Sequence, residues 1–185
     1  SKEFQYESPD LQYANAMIIF QKEQYSEAKK IFQNIERIYP LSNEAIQSQI
    51  MLGFTDYVLL DYDSAIIKFS KIIKKYPSLK NLDYVYYMKA LCYYEQIADE
   101  GLDGRNNKLA LENLNQVITR FPKSKYAKDS HQKIILVKSN IAAKHMTIAR
   151  FYQKEEKYTA ALNRYKIVVE LYDETKFIPE ALYRI

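Results

Sequence analysis

The sequence predicts an all-α fold built from repeated pairs of helices, and three observations lead to this prediction. A small residue, a large residue four places on and a proline twelve places on recur three times: Ala28, Phe32, Pro40; Ala65, Phe69, Pro77; and Ala110, Leu114, Pro122. A fourth copy, Ala161, Tyr165, Asp173, keeps the spacing but lacks the proline. A second small residue stands twelve places before three of these units: Ala16, Gly53 and Ala149. The chain has only 3 glycines and 5 prolines, which leaves little room for turns.

The spacing of the unit has a direct physical meaning. Four residues make about one helical turn, so Ala28 and Phe32 share one face of a helix. The small residue lets a neighbouring helix come close, and the aromatic ring fills the space beside it. Proline cannot continue a helix, so Pro40 marks where the second helix ends. This pattern is typical of the tetratricopeptide repeat, and it predicts a superhelix of about four helix pairs plus a partial fifth.

The repeat spacing also predicts where the pairs lie in a single array over residues 1–185. The predicted pairs are 9–40, 42–77, 81–122 and 124–173, with the start of a fifth at 177–185. Extra residues in the third pair are placed in a loop at 98–107. The fourth pair is predicted to begin with one long helix, because apolar residues continue from Ile134 to Tyr152 without a breaker. Ser42 and Ser124 are the expected caps of two first helices. Since an unpaired last helix leaves an apolar face exposed, we expect the natural protein to continue.

Composition and motifs argue against several classes of function. The net charge of +4, from 27 basic and 23 acidic residues, is too even for a nucleic-acid binder. Cys92 is the single cysteine, and His131 and His145 lie too far apart along one helix to share a metal ion. The acidic loop 98–107 lacks the spacing of a calcium loop. The sequence predicts a binding scaffold with no catalytic residues, no metal and no cofactor.

Aromatic residues on the first helices indicate what such a scaffold binds. Tyr13, Met17 and Phe20 form an inward stripe on the first helix, and Tyr57 and Tyr86 continue the aromatic pattern on later ones. Tyrosines at helical spacing can line a concave groove, and they can equally pack between helices. The groove interpretation favours ligands with apolar or aromatic residues over ligands with acidic tails.

Several stretches resemble one family closely. They are Arg-Ile-Tyr-Pro at 37–40, the tyrosine-rich helix 81–97, Arg-Phe-Pro-Lys-Ser-Lys-Tyr-Ala at 120–127, Ala-Arg-Phe-Tyr at 149–152, Tyr-Thr-Ala-Ala-Leu-Asn-Arg-Tyr at 158–165 and Pro-Glu-Ala-Leu-Tyr at 179–183. Together with the inserted loop and the long helix, they resemble the BamD (ComL-type) lipoproteins of the outer-membrane β-barrel assembly machine. The likeness covers nearly the whole chain and is strongest to alphaproteobacterial versions.

The resemblance implies a function and a location. It implies a lipid on a cysteine upstream of Ser1 and a place on the periplasmic face of the outer membrane. It implies docking of the POTRA domains of BamA through the late repeats, where Arg164 and the adjacent Asn163 match the partner-contacting position. It also implies contact with other lipoproteins of the machine, and a groove in the early repeats that receives signal peptides of unfolded barrel proteins. Tyr13, Met17, Phe20, Tyr57 and Tyr86 are the expected groove residues.

Two positions depart from the family pattern, and other functions stay open. His145 stands where the family usually has glutamate, and Glu156 where it usually has glycine, so the local turn and any ion pair there are in question. A periplasmic repeat adaptor for cell-envelope division or peptidoglycan enzymes is the alternative function. A cytosolic adaptor is a third hypothesis.

Overall fold

The structure is a computed structural model that describes residues 7–97 and 104–185. Within these ranges it contains helices and no strand. The helices are α1 Pro9–Gln21, α2 Tyr25–Ile38, α3 Asn43–Val58, α4 Tyr62–Lys75, α5 Leu82–Glu95, α6 Arg105–Arg120, α7 Lys125–Lys154, α8 Tyr158–Leu171 and α9 Ile178–Arg184. The chain divides into two compact units, and the division falls within α5, between Tyr93 and Tyr94.

Consecutive helices pack on one another within each unit. In the first unit α1 packs on α2, α2 on α3 and α3 on α4; in the second α6 packs on α7, α7 on α8 and α8 on α9. The small residues lie at these contacts, where Ala16 and Ala28 are fully buried. A Cβ atom added to Gly53 would lie 2.7 Å from Cε1 of Phe69. The all-α fold of tetratricopeptide-type helix pairs is therefore confirmed.

The turn inside a helix pair has the same geometry at three places in the chain. The turns α1–α2, α3–α4 and α7–α8 each contain a residue with positive φ, namely Glu23 (61°), Leu60 (64°) and Glu156 (60°). In each turn, that residue and the next one donate N–H groups to carbonyls of the preceding helix, for example Glu156 to Gln153 (3.1 Å) and Lys157 to Tyr152 (2.8 Å). This is the Schellman motif, which usually has glycine at the positive-φ position. The turn at Glu156 thus forms without glycine.

The second helices end on an aromatic residue and lead into a second kind of turn. Their C-caps are Tyr39, Tyr76, Phe121 and Tyr172. The hydroxyls of Ser42 and Ser124 accept N–H groups of the next helix, from Ala45 (3.0 Å) and Tyr126 (3.1 Å). Both predicted caps are confirmed. In the fourth copy, which lacks proline, the Thr175 hydroxyl donates to the Tyr172 carbonyl (2.9 Å) as Ser42 does to Tyr39 (2.7 Å).

The long helix has the predicted extent, whereas the inserted loop ends earlier than predicted. Helix α7 is continuous over 30 residues, as the unbroken apolar pattern predicted. Helix α6 begins at Arg105, so residues 105–107, which were predicted to be the end of the loop, belong to the helix. Gly104 has a φ of 73°, and as a glycine it tolerates this conformation at the N-terminus of α6. Residues 98–103 of that loop lie outside the described residues.

No helix in the described ranges combines the length and the apolar character needed to cross a membrane.

Candidate protein-interaction sites

A cavity of about 560 Å³ opens between α6, α7 and α8 of the second unit. Its apolar lining comes from Leu111, Ile141 and Ile148. Its polar and charged lining includes Lys108, Glu112, Lys144, His145 and Arg164. The cavity is therefore an apolar recess with a basic rim, a shape suited to a partner side chain that is partly apolar and partly acidic.

Arg164 is one of the cations that line this cavity. It lies on α8 three residues after Ala161, which is buried against the neighbouring helix, and its own side chain is half-buried. Its Nη1 lies 3.0 Å from Nδ1 of His145. Among the described residues, no carboxylate lies within ion-pair distance of Arg164. Arg164 thus lines the cavity without a carboxylate partner among the described residues.

His145 supports Arg164 from the long helix. It lies on α7 four residues before the buried Ala149, and its ring stacks on Tyr172 with centroids 5.9 Å apart and planes at 28°. Burial, and then the charge of Arg164, lower the pKa of His145 below its usual value of 6.5. The imidazole is therefore neutral at pH 7. Since an arginine has only donors, Nδ1 accepts from Arg164 and the ring proton resides on Nε2.

An aromatic row in the first unit is the second candidate site. Five half-buried rings are in sequential contact, in the order Tyr25, Phe20, Phe54, Tyr57 and Tyr62. The centroid distances along the row are 5.0, 5.7, 6.1 and 5.7 Å. The row joins the first helices α1 and α3 to the first residues of α2 and α4. It offers continuous aromatic surface, which is the kind of surface that receives apolar and aromatic side chains.

The third feature, also in the first unit, is a charged cluster that includes Lys68, at the repeat position that Arg164 occupies beside the cavity. Asp56 on α3 is buried, with 2% of its side chain exposed, and it pairs with Lys29 on α2 and Lys68 on α4. Its Oδ1 lies 3.3 Å from Nζ of Lys29. Nearby, Gln49 and Lys68 line a cavity of only about 110 Å³. Here the carboxylate holds three helices together, and little open volume remains.

Comparison with known proteins places the chain in a family. The family model YfiO, outer membrane lipoprotein, matches residues 6–185. The chain belongs to this family. It is 35% identical to "Outer membrane protein assembly factor BamD" of Caulobacter vibrioides over 95% of this chain and 58% of that protein. It is also 35% identical to the protein of the same name from Rickettsia prowazekii, over 94% of this chain and 69% of that protein.

More distant relatives have the same name. The Neisseria gonorrhoeae protein is 27% identical over 92% of this chain and 67% of its own length. The resemblance to alphaproteobacterial BamD-type lipoproteins is therefore confirmed. The chain spans about 58% of the Caulobacter relative and 69% of the Rickettsia relative.

The structure brings together only some of the residues that the sequence singled out in this member of the YfiO family. Arg164 lines the cavity, whereas Asn163 is exposed and is not part of its lining. Tyr13, Met17 and Phe20 lie half-buried on α1, and Phe20 and Tyr57 belong to the aromatic row. Tyr13 packs on Phe32 with centroids 5.8 Å apart.

Tyr86 on α5 has a different environment, because it is only 8% exposed. A buried ring offers almost no surface to a ligand, so Tyr86 fits the alternative interpretation, in which tyrosines pack between helices. Sequence reasoning also missed Tyr25 and Tyr62. Each is the first residue of a second helix and stands five places after a ring of the row, and this repeated spacing is visible in the sequence.

Proposed function

We propose that this chain is a non-enzymatic assembly factor for outer-membrane β-barrel proteins, and that its second unit docks a POTRA domain of BamA. The relatives reported above are named outer membrane protein assembly factors, and the likeness covers almost the whole of this chain. One observation supports the docking site best. Arg164 is a half-buried cation beside an apolar cavity, and among the described residues it has no carboxylate partner.

The chemistry of that cavity specifies the partner group. An arginine guanidinium recognises a carboxylate through two parallel N–H···O bonds, and such charge-assisted bonds are stronger than neutral ones. Leu111, Ile141 and Ile148 would exclude water around the pair. A fixed, partly desolvated cation of this kind is typical of the few residues that dominate the binding energy of an interface. An acidic side chain of the POTRA domain, flanked by apolar residues, would fit this arrangement.

The aromatic row of the first unit is proposed as the site for unfolded barrel proteins. Peptides that end in an aromatic residue would stack on Phe20, Phe54 and Tyr57, with Tyr13 and Met17 beside them on α1. Ring pairs in offset or edge-to-face contact add about 0.5–1.5 kcal/mol beyond their buried area. Because Tyr86 is buried, this proposal leaves it out.

The family also suggests where the protein works. We place it on the periplasmic face of the outer membrane, held by a lipid on a cysteine upstream of Ser1 and associated with other lipoproteins of the assembly machine. The family description, outer membrane lipoprotein, supports this location.

A pull-down tests the docking site. The purified POTRA domains of BamA from the same organism are immobilised, and the chain is passed over them at physiological salt as wild type, Arg164→Leu and Arg120→Leu. Arg120 is a matched control, because it is an exposed arginine of the same unit outside the cavity. We expect wild type and Arg120→Leu to be retained and Arg164→Leu to be lost while its circular dichroism spectrum stays unchanged. Equal retention of Arg164→Leu and wild type would rule out the arginine as the docking residue. If wild type is not retained either, docking itself is ruled out.

Fluorescence polarisation tests the aromatic row. A labelled peptide ending in phenylalanine is titrated with wild type, Phe20→Ala, Tyr57→Ala and Phe151→Ala, the last being an exposed ring of the second unit. Loss of a central aromatic contact typically costs more than about 1 kcal/mol, which is roughly fivefold or more in Kd. We expect that loss for the first two variants only. Equal affinities for all four proteins would exclude the row as the peptide site.

A further inference from the structure

In the first unit, the positions equivalent to His145 are occupied by glutamines, whose side chains do not titrate. His145 stands four residues before the small residue Ala149, and Gln12 and Gln49 stand four residues before Ala16 and Gly53. Gln12 is buried and its Oε1 accepts from Asn34 (2.9 Å), while Gln49 donates to the Tyr76 hydroxyl (3.4 Å). A glutamine can accept a hydrogen bond at any pH. A histidine accepts only while it is neutral.

The groups around His145 favour its neutral form in the free protein. From α8 and its C-cap, Arg164 and Tyr172 contact it, and burial raises the pKa of Tyr172 above its usual value, so that hydroxyl stays uncharged. From α6, Lys108 and Glu112 line the same cavity, and Lys144 does so from α7 itself. Cations outnumber the one acidic side chain among these lining residues. An added carboxylate would change that balance.

We propose that His145 is a positioning residue, which holds Arg164 ready for a carboxylate of the partner and makes docking take up a proton. This inference rests on the proposed docking function. In the free chain the neutral imidazole accepts an Arg164 N–H at Nδ1, which orients the guanidinium beside the cavity. When the partner carboxylate arrives, that N–H is donated to the carboxylate instead. Nδ1 then takes a proton from solvent, and the new N–H donates to the same carboxylate.

The sign of the pH dependence follows from this exchange. A negative charge near an imidazole raises its pKa, so the bound state holds more protons than the free state near pH 6. Docking therefore strengthens as the pH falls, by at most about tenfold per pH unit for one proton. A carboxylate–arginine contact without His145 would have no such dependence over this range.

Calorimetric titration of the full chain with the POTRA domains tests the proposal at about pH 7.5 and about pH 5.5. The proteins are wild type, His145→Gln, His145→Phe and the control His131→Gln, an exposed histidine on the same helix. We expect wild type and His131→Gln to bind several-fold more tightly at the lower pH. His145→Gln places at this position the residue type found in the first unit. It should keep the neutral-pH affinity within about twofold and lose the part of the pH dependence of binding that His145 causes. His145→Phe, which keeps the stack on Tyr172 but has no acceptor, should bind weakly at both values.

Two results would overturn the proposal: a pH dependence that persists unchanged in His145→Gln, or a neutral-pH affinity that His145→Phe leaves intact. A second measurement does not depend on BamA. The His145 ring is titrated by NMR in sodium acetate and in sodium chloride at equal ionic strength, with acetate as the minimal carboxylate. We expect its midpoint to lie higher in acetate. A shift in acetate without POTRA binding would keep the coupling and reject the proposed partner, whereas equal midpoints would reject the coupling itself.

Discussion

Lys68 in the first unit and Arg164 in the second occupy the same place in the repeat, three residues after the buried alanines Ala65 and Ala161. Lys68 pairs with the buried Asp56 on the neighbouring helix. The position of Asp56, three residues after Gly53, is held in the second unit by Tyr152. Arg164 therefore contacts the neutral His145 where Lys68 contacts a carboxylate.

The two units also differ in the open volume beside these cations, which is larger beside Arg164 than beside Lys68. The cavity beside Lys68 measures about 110 Å³ and the cavity beside Arg164 about 560 Å³. A charge that is neutralised inside the protein contributes to stability and offers little to a partner. A charge that is held without a counter-ion costs stability and is available for binding. One position of the repeat thus serves the fold in the first unit and, in our proposal, recognition in the second.

The largest expected effect is the loss of Asp56. Asp56→Ala removes the carboxylate shared by Lys29 and Lys68, so it should lower the free energy of unfolding by about 2–4 kcal/mol. The estimate is at the lower end for buried pairs, because both lysines are 33% exposed and water can hydrate them. Asp63→Ala, an exposed acid on α4, is the control and should change stability by less than about 0.5 kcal/mol. Thermal denaturation followed by circular dichroism measures both, and equal stability of the two variants would mean that the cluster does not stabilise the first unit.

Overpacking of the helix contacts should affect the two units alike. Ala65→Leu and Ala161→Leu both insert a large side chain where two helices meet, and each should cost about 1–3 kcal/mol. Similar losses in chemical denaturation would show that the units share one scaffold and differ in their charges. An unchanged melting temperature for Ala65→Leu would contradict the facing of small residues.

The turns with positive φ should respond in the opposite direction. Glu156→Gly and Leu60→Gly relieve a backbone conformation that L-residues avoid, at the expense of a more flexible unfolded chain, so each should gain about 0.5–1 kcal/mol. Ser124→Gly, at a cap with extended backbone, should not gain stability. A loss of stability in Glu156→Gly would mean that the glutamate side chain outweighs the strain.

The smallest expected effect is the pH dependence of the folding stability of the free chain. The pKa of His145 lies below its usual 6.5 in the folded protein. At higher pH the imidazole is therefore neutral in both the folded and the unfolded chain. As the pH falls below about 6.5, the unfolded chain takes up the proton first, so stability decreases through the lower folded pKa. Urea denaturation across this range should show that the free energy of unfolding decreases more steeply with falling pH in wild type than in His145→Gln. Parallel curves for the two proteins would contradict the pKa shift.

The helix pairs could be predicted from the sequence because their signals are local. Small residues such as Ala28 and Gly53, the prolines after the second helices of the first three pairs, and the caps Ser42 and Ser124 act through close approach, lost N–H donors and short hydrogen bonds, all of which depend on spacing. The turn at Glu156 was harder to predict. Its glycine is missing, yet the hydrogen bonds of the Schellman motif form in the same way.

The candidate sites could be predicted only in part, because they depend on contacts between distant residues. Tyr86 and Phe20 are both aromatic at helical spacing, and nothing in that spacing shows that one is buried and the other half-exposed. Likewise, the pairing of Asp56 with Lys29 joins residues 27 positions apart. The contact of His145 with Arg164 depends on the packing of α7 on α8.

The most direct test removes each of the two cations in turn under the same conditions. Lys68→Leu and Arg164→Leu are compared in melting temperature and in Kd for the POTRA domains of BamA, both measured at physiological salt. We expect opposite patterns. Lys68→Leu should melt at a lower temperature and bind as wild type does, whereas Arg164→Leu should melt as wild type does and bind at least about tenfold more weakly, about 1.4 kcal/mol. If both variants lose stability and neither loses affinity, Arg164 is a structural cation like Lys68, and the docking assignment is wrong.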